Sequence, residues 1–281
     1  MALKIERLTK RSALANAKRI GFQPGTIIDV GFAYGTDGLF DVFDEAHAII
    51  IEPVAEMEPV MRKFCEGRRE ARYWIAAASD EPGTLEMVVR NGVTGSGFHT
   101  KFKEKDSQRR SVPTITLDGL IAEVQPPKPY LLKLDVEGHE MQVLRGAAAN
   151  LKDVEMIILE VGTWAEEHPL GRTSMMDLFR YLEDQGYVFY EFVDPGYRQI
   201  DGAMYMFDAI FVRRNSILRA QRSHKSPEQY EHELKIKQDH VDSAMAGAAE
   251  QSASDQTACS SRDRDSAQEL QARSGDETGC G

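Results

Sequence analysis

The residues best suited to chemistry lie in the string LLKLDVEGHE, 131 to 140. Asp135 and Glu137 are two residues apart, so in an extended chain their side chains point to the same side. Two carboxylates at one edge can hold a cationic group, act as a general base, or bind a divalent ion with a third oxygen donor. His139 could accept a proton near neutral pH. We take Asp135, Glu137 and His139 as catalytic candidates and favour proton transfer over a metal site.

A second candidate site is the loop DVGFAYGTDG, 29 to 38. Its glycines at 31, 35 and 38 form the pattern GxxxGxxG after an apolar strand, where open parallel sheets bind adenosine cofactors. A dinucleotide pyrophosphate favours GxGxxG instead, because it packs closely on the backbone. The spacing therefore favours a cofactor with adenosine but no pyrophosphate, for which S-adenosylmethionine is the best candidate. The alternative is a turn whose glycines serve steric needs only.

Acidic residues also end two further apolar strings. Glu52 follows AIII and stands 21 residues after Gly31, the distance at which a carboxylate accepts hydrogen bonds from the ribose hydroxyls in adenosine-binding sheets. The alternative for Glu52 is a solvated charge at a strand end. Glu160 ends IILE and is predicted to point toward the same crevice, which makes it a secondary candidate.

These candidates need a sheet to bring them together, and the sequence predicts one. Short β-branched runs alternate with helical patterns, which is typical of parallel strands joined by crossover helices. The seven predicted strands are 26–31, 48–53, 71–79, 130–138, 154–162, 187–194 and 208–214. The predicted helices are 12–20, 38–45, 56–66, 140–150 and 174–185, with an additional hairpin strand at 84–92.

Composition divides the chain into three parts. From residue 216 onward the only aromatic residue is Tyr230, so this segment has little apolar surface with which to offset the entropy of ordering. We therefore predict a helical lead-in at 1–24, a folded domain at 25–215 and a mostly disordered, acidic and polar tail at 216–281. Within the tail, residues 227–240 are predicted to form at most a short polar helix.

Charge and cysteine content exclude several classes of protein. A net charge of −11 argues against nucleic acid or an anionic lipid surface as partner. Three cysteines without metal-ligand spacing indicate neither a disulfide framework nor a zinc site. No apolar run reaches the ~18 residues of a membrane span, and the first 20 residues lack the apolar centre of a signal peptide. We expect a cytoplasmic protein.

The combination of motifs resembles one known family. The strings IIDVGFAYG, IIIEP, AAASDEPGTL, TITLDGLI, LLKLDVEGHEMQVLRGA and IILEV, in this order, are similar to the FkbM family of S-adenosylmethionine-dependent methyltransferases. The similarity covers about residues 21 to 214, and KLDVEGHEMQVLRGA is its most specific piece. It implies an α/β, Rossmann-like class I methyltransferase fold, with a seven-stranded, mostly parallel sheet, a reversed last strand and helices on both faces. It also implies S-adenosylmethionine as cofactor and methyl transfer, usually to an oxygen of a sugar or other natural-product acceptor.

The resemblance also assigns roles by position. The implied cofactor-binding residues are Asp29, Gly31, Tyr34 and Gly35 around the methionine and ribose, Glu52 on the ribose, Ala78 and Asp80 at the adenine edge, and Asp135 at the sulfonium. The family loop commonly reads DVGANxG, whereas Phe32, Ala33 and Tyr34 stand at the Ala-Asn-x positions here. A polar side chain that would help to bind the cofactor is therefore absent.

Other interpretations stay open at this point. A nicotinamide oxidoreductase is disfavoured by the glycine spacing, and a cofactor-binding or interaction protein without catalysis is the alternative outside enzymes. The loop 91–100, with Phe98 and His99, is either a lid over the substrate or a surface hairpin. Residues predicted to line a substrate pocket are Trp164, His168 and Tyr197. Arg109 and Arg110 are interpreted as a solvated face.

Overall fold

A computed structural model describes residues 9–36, 38–90, 96–98, 107–164, 173–221 and 223–248. The predictions for His99, for His168 and for the tail beyond 248 lie outside these residues. The chain divides into two compact units, Met1–Ala220 and Gln221–Gly281. No helix in the described ranges is long and apolar enough to cross a membrane.

The first unit contains ten described strands and six described α-helices. The strands are β1 (Thr26–Val30), β2 (His47–Ile51), β3 (Ala71–Trp74), β4 (Ala77–Ala78), β5 (Gly83–Arg90), β6 (Ser107–Ile115), β7 (Tyr130–Leu134), β8 (Val154–Gly162), β9 (Tyr187–Tyr197) and β10 (Met204–Arg213). The helices are α1 (Lys10–Ile20), α2 (Leu39–Val42), α3 (Glu58–Glu66), α4 (Leu117–Val124), α5 (Glu140–Arg145) and α6 (Met175–Asp184).

Seven of the strands form one sheet, in the order β3-β2-β1-β7-β8-β10-β9. The pairs from β3 to β8 are parallel, whereas β10 runs antiparallel to both β8 and β9. The predicted mostly parallel sheet with a reversed last strand is therefore confirmed. The chain order reverses between β1 and β7, and such a switch point is where open α/β sheets bind ligands.

Helices cover both faces of this sheet, as predicted. Alternate residues of each central strand point to opposite faces, so Ile27 and Leu131 pack with α1, α2 and α3, while Ile28 and Leu132 pack with α4, α5 and α6. Because both faces are covered, the middle strands are apolar at nearly every position, which is why the sequence revealed them.

A smaller sheet, in the order β4-β6-β5, was not predicted as such. The predicted single strand 71–79 is wrong, because β3 ends at Trp74 and Ala77-Ala78 pairs with β6 instead. The sequence analysis also missed β6, in which Arg109 is exposed and Arg110 is half-buried and bonded to Glu56. Strand β6 begins with the polar residues SQRRS, so it lacks the apolar run by which the other strands were recognised. Helix α4 was missed as well.

The end of the first unit differs from the predicted boundary at 215/216. Ser216 and Leu218 are buried, and Leu218 belongs to the apolar cluster that contains α1. The compact unit therefore extends to Ala220. In the second unit, residues 227–248 form a helix with mostly exposed side chains, eight residues longer than the predicted segment 227–240.

Candidate functional site

A cleft opens at the carboxyl ends of β1, β2, β7 and β8, where the parallel strands bring their last residues to one edge of the sheet. The cleft is lined by Val30, Gly31, Ala33, Glu52, Pro53, Ala77, Ala78, Met87, Ser96, Phe98, Asp135, Val136, Glu137 and Glu160. The predicted residues Gly31, Glu52, Ala78, Asp135 and Glu137 thus come together at this cleft.

Gly31 allows the ends of β1 and β7 to approach closely. Its φ is +81°, and a Cβ on this residue would lie 1.8 Å from the carbonyl oxygen of Asp135. Its amide donates a hydrogen bond to the carbonyl of Ile51 at 2.9 Å. No side chain fits here, so glycine is required by the packing of backbone on backbone. Gly35 has a φ of +102° and donates to the carbonyl of Phe32 at 2.7 Å, which closes the loop.

The large rings of the atypical loop stay out of the cleft. Phe32 is 2% exposed and packs edge-on against Phe40 and Phe64 in the core. Tyr34 is 60% exposed and is not among the lining residues. Ala33, with a φ of +43°, is the loop side chain that lines the cleft. The replacement at 32 therefore serves packing, while the replacement at 33 changes the cleft wall.

Glu52 connects the loop to the end of β2. Its Oε2 accepts a hydrogen bond from the amide of Ala33 at 2.9 Å, and its Oε1 accepts one from the amide of Val54 at 3.0 Å. Burial raises the pKa of Glu52, although both amides oppose the shift. Each carboxylate oxygen can accept a second hydrogen bond. Glu52 can therefore position the loop and bind a diol in the cleft at the same time.

One wall of the cleft is apolar. Pro53, Ala77, Ala78 and Met87 form this wall, which suits a flat ring. Asp80, predicted at the adenine edge, is exposed and accepts a hydrogen bond from the Ser79 hydroxyl at 3.0 Å, outside the lining residues.

Asp29 lies beneath the cleft rather than in its wall. It is fully buried, its Oδ2 accepts a hydrogen bond from the Thr36 hydroxyl at 2.7 Å, and its Oδ1 lies 3.2 Å from Lys133 Nζ. Burial raises the pKa of Asp29, and Lys133 and Thr36 oppose that shift. Oδ2 is thus hydrogen-bonded, and Oδ1 is ion-paired with Lys133 but has no hydrogen bond among the described residues. Asp29 does not line the cleft, so its contribution to ligand binding is through the position of the loop.

Lys133 links Asp29 to Asp135. Its ammonium lies 3.3 Å from Asp135 Oδ2 and donates to the carbonyl of Gly31 at 3.2 Å. Burial disfavours the charge on Lys133, but Asp29 and Asp135 outweigh it and hold its pKa above the usual range. Lys133 was not predicted from the sequence, although a lysine inside the apolar string LLKL indicates a buried acidic partner.

A second lysine contacts the acidic edge from α1. Lys10 Nζ contacts Asp208 of β10 and lies 3.7 Å from Asp194 of β9. Burial raises the pKa of Asp208, and Lys10 opposes the shift. In the antiparallel pair β8-β10, Asp208 lies opposite Glu160. The sequence analysis missed Lys10 and Asp208 because neither stands in a recognisable motif.

The catalytic candidates after β7 separate in space. Glu137 has a φ of +53° and, like Asp135, lines the cleft. His139 is 6% exposed and lies outside the lining residues, with Nε2 3.0 Å from the Ser79 hydroxyl and its ring 4.6 Å from the Phe98 ring. The structure therefore brings the two acids to the cleft and places the histidine behind it.

Glu160 is the fourth acid of the cleft. It is partly buried, and burial together with the negative charges of Asp135, Glu137, Asp208 and Glu140 raises its pKa to about 8. Its carboxyl group is therefore largely protonated at neutral pH.

Two of the remaining predicted residues lie outside the cleft lining. Trp164 follows β8 and is 42% exposed, and the Arg198 guanidinium lies 4.6 Å from the centre of its ring. Tyr197 ends β9 and is 58% exposed. Neither belongs to the cleft lining. In the described ranges, no cluster of three His, Cys, Asp or Glu side chains is arranged to hold a metal ion.

The donor set defines what the cleft can bind. A carboxylate with spare lone pairs suits a diol, the apolar wall suits a flat ring, and the acids Asp135, Glu137 and Glu160 suit a cationic centre. A nucleoside with a cationic substituent combines these three features, and the residues present fit it.

Comparisons with known proteins agree with this description. The profile of the methyltransferase FkbM domain matches residues 29–189. Hexuronic acid methyltransferase AglP from Haloferax volcanii is 41% identical over an alignment of 91 residues, and the match covers 28% of this chain and 38% of that protein. The alignment thus spans well under two thirds of the relative's length.

Two solved structures are partly similar to this chain. Magnesium protoporphyrin IX methyltransferase ChlM from Synechocystis PCC 6803, with bound SAM, has a TM-score of 0.40 at 10% identity, over 72% of this chain and 76% of that one. N-methyltransferase NodS from Bradyrhizobium japonicum WM9 has a TM-score of 0.42 at 7% identity, over 73% of this chain and 94% of that one.

Proposed function

Because the chain belongs to the FkbM methyltransferase family, we propose that it transfers a methyl group from S-adenosylmethionine to a hydroxyl group of a sugar or a related natural product. The observation that carries the proposal is the cleft itself. It places the carboxylate of Glu52, an apolar wall and the acids after β7 at the switch point of the sheet.

The cleft residues have distinct roles toward the cofactor. Glu52 accepts hydrogen bonds from the ribose hydroxyls on the oxygen lone pairs that its two backbone amides leave available. Ala77, Ala78 and Met87 contact the adenine ring. Asp135 and Glu137 stabilise the positive end of the cofactor. When bound, S-adenosylmethionine supplies a methyl group on a positively charged sulfur.

The chain's own contribution to the reaction is mainly positional. A displacement at carbon needs the incoming oxygen, the methyl carbon and the leaving sulfur in line, and holding them so can supply several kcal/mol of the barrier. The acceptor hydroxyl must also lose a proton, for which the cleft offers only carboxylates among its lining residues. Asp135 and Glu137 are the proton acceptors predicted from the sequence. Glu160 is a further carboxyl group of the lining, whereas His139, the predicted alternate, lies outside it.

Two observations support a sugar as acceptor. The relative AglP is a hexuronic acid methyltransferase by name. In addition, Trp164 presents a partly exposed indole ring, with Arg198 against it, four residues beyond the cleft residue Glu160. Aromatic rings bind the apolar faces of sugars, and a guanidinium binds a carboxylate in a bidentate manner.

The proposal is tested first by calorimetric titration with S-adenosylmethionine, S-adenosylhomocysteine and NAD. We expect the first two to bind and NAD not to bind. Methyl transfer is then followed by mass spectrometry with isotopically labelled S-adenosylmethionine and a panel of neutral sugars, hexuronic acids and amino sugars. Binding of NAD alone, or of none of the three, would contradict the proposal. Methylation of an amine in the panel would contradict transfer to oxygen.

A further inference from the structure

We propose that Glu160 is the group that accepts the proton of the acceptor hydroxyl, and that its carboxyl group becomes ionised when a cationic cofactor occupies the cleft. The inference rests on the proposed function. It adds a proton acceptor whose ionisation depends on the binding of the cofactor. It also places the base on β8 rather than among the acids after β7.

A row of charged side chains crosses four neighbouring strands, β1, β7, β8 and β10. Asp29 lies beside Lys133 in the register of β1 and β7, and Glu160 lies opposite Asp208 in the register of β8 and β10. Leu134 pairs with Leu159, so Asp135 and Glu160 come next along the same two strands. The row lies on the sheet face that α1 covers, because the residues two positions earlier or later on these strands pack in that cluster.

Two lysines supply the positive charge along this row. Lys133 lies between Asp29 and Asp135, at 3.2 and 3.3 Å. Lys10 contacts Asp208 and Asp194. Each lysine therefore compensates two acids. Within the described ranges, Glu160 is the cleft-lining acid of this row that has no lysine or arginine in ion-pair contact.

The charged groups that act on Glu160 are four acids, namely Asp135 and Glu137 after β7, Asp208 of β10 and Glu140 of α5. The lysines of the row are Lys133 of β7 and Lys10 of α1. The four acids raise its pKa together with burial, and both lysines are already engaged by other carboxylates. A carboxyl group whose pKa returns to about 8 once the positive charge has left the sulfur holds the received proton better than one with an ordinary pKa.

A positive charge in the cleft is expected to change the protonation state of Glu160. An opposite charge within about 4–6 Å favours the ionised form of a carboxyl group, by roughly 1–3 pKa units. Glu160 lines the cleft that fits a cationic nucleoside, so binding of that cation is expected to expel the carboxyl proton. The carboxylate then receives the proton of the acceptor hydroxyl while the oxygen bonds to the methyl carbon and the bond between carbon and sulfur breaks.

The test uses the full chain and needs no acceptor. Calorimetric titrations at pH 7 in buffers of different ionisation enthalpy give the number of protons released on binding S-adenosylmethionine and S-adenosylhomocysteine. The two ligands differ by one methyl group and one positive charge. A group with a pKa of about 8 carries about 0.9 proton at pH 7, so we expect the first ligand to release roughly 0.4 to 0.9 proton more than the second.

Variants identify the group that releases the proton. Glu160→Gln is expected to abolish the difference between the two ligands, and Glu155→Gln, at the other end of the same strand, is expected to retain it. Once an acceptor is identified, Glu160→Gln should also lower turnover by about a hundredfold or more and remove the rise of turnover with pH that the ionisation of Glu160 produces.

The outcomes separate this inference from the proposed function. If neither ligand binds, the proposed function fails. If both bind with equal proton release in the unmodified chain, or if the difference persists in Glu160→Gln, the role of Glu160 is wrong while the proposed function stands. Equal proton release for the two ligands in the unmodified chain overturns the role of Glu160 even if the variant does not fold.

Discussion

The ammonium of Lys133 lies 3.2 Å from the carboxylate of Asp29, with both side chains almost completely buried between β1 and β7. The same ammonium contacts Asp135, which lines the cleft. The pair therefore joins the core of the sheet to the site, and its loss should affect stability and ligand binding together.

Lys133→Met is expected to lower the free energy of unfolding by about 3–5 kcal/mol, because it leaves Asp29 as a buried, uncompensated charge. Asp29→Asn in the same chain should recover part of the loss. Urea unfolding at pH 7 measures both effects. Lys128→Met, which removes a surface partner of Asp153, is the control and should unfold like the unmodified chain. Equal stability of the Lys133 and Lys128 variants would contradict the structural role of the pair.

Gly31→Ala is expected to lower the free energy of unfolding by at least about 3 kcal/mol, because strain at positive φ adds to a collision with the Asp135 carbonyl. Gly202→Ala is a matched control, since Gly202 has a φ of +73° and no atom within 4 Å of an added Cβ. Gly202→Ala should lower the free energy of unfolding only by the backbone strain, about 1–2 kcal/mol. Thermal unfolding distinguishes the two, and similar losses would show that the close approach of β1 and β7 is not required.

Glu52→Ala is expected to weaken binding of S-adenosylmethionine by about ten- to a hundredfold, the effect of losing hydrogen bonds to a charged acceptor. Calorimetry gives the dissociation constant. Glu56→Ala, four residues later and exposed, should bind like the unmodified chain. An unchanged dissociation constant for Glu52→Ala would remove this residue from the ribose site.

Ala33→Asn is expected to tighten cofactor binding and to raise the free energy of unfolding by about 1 kcal/mol. Ala33 lines the cleft with a φ of +43°, a conformation that asparagine tolerates better than alanine. Ala33→Gly relieves the same strain without adding an amide group. Calorimetry on both variants separates the two effects, and equal affinities would mean that the amide makes no contact with the cofactor.

Stability is expected to fall as the pH rises from about 5 to 8. The pKa of Glu160 is about 8 in the folded chain and near ~4.3 in the unfolded chain, so the folded state binds the extra proton in this range. The contribution of Glu160 to the free energy of unfolding is fully present below pH ~4 and is lost as the pH rises through 8. The free energy falls by up to about 1.4 kcal/mol per pH unit. Urea unfolding at several pH values measures the slope.

Glu160→Gln should reduce this slope without abolishing it, because burial also raises the pKa values of Glu52 and Asp208. Glu155→Gln should keep the full slope. A slope that Glu160→Gln leaves unchanged would show that Glu160 is ionised throughout this range.

The fold was largely predictable from the sequence because its strongest signals are local. Strands buried on both faces need apolar residues at consecutive positions, and β1, β2, β7 and β8 all have them. Strand β6 and the break between β3 and β4 were missed for the same reason, since neither has a distinct local pattern. Their pairing is decided by neighbours that are distant along the chain.

The acids of the cleft were likewise predictable, because parallel strands must end at a common edge and Glu52, Asp135 and Glu160 each end such a strand. The sequence alone therefore determined which strands form the sheet and which carboxylates meet at its edge. Only the tertiary structure decided the charge state of those carboxylates. Lys10 contacts Asp208 across 198 residues of chain, and Lys133 contacts Asp29 across a strand pair. Electrostatic interactions depend on distance in space and on burial, and neither is encoded in local spacing.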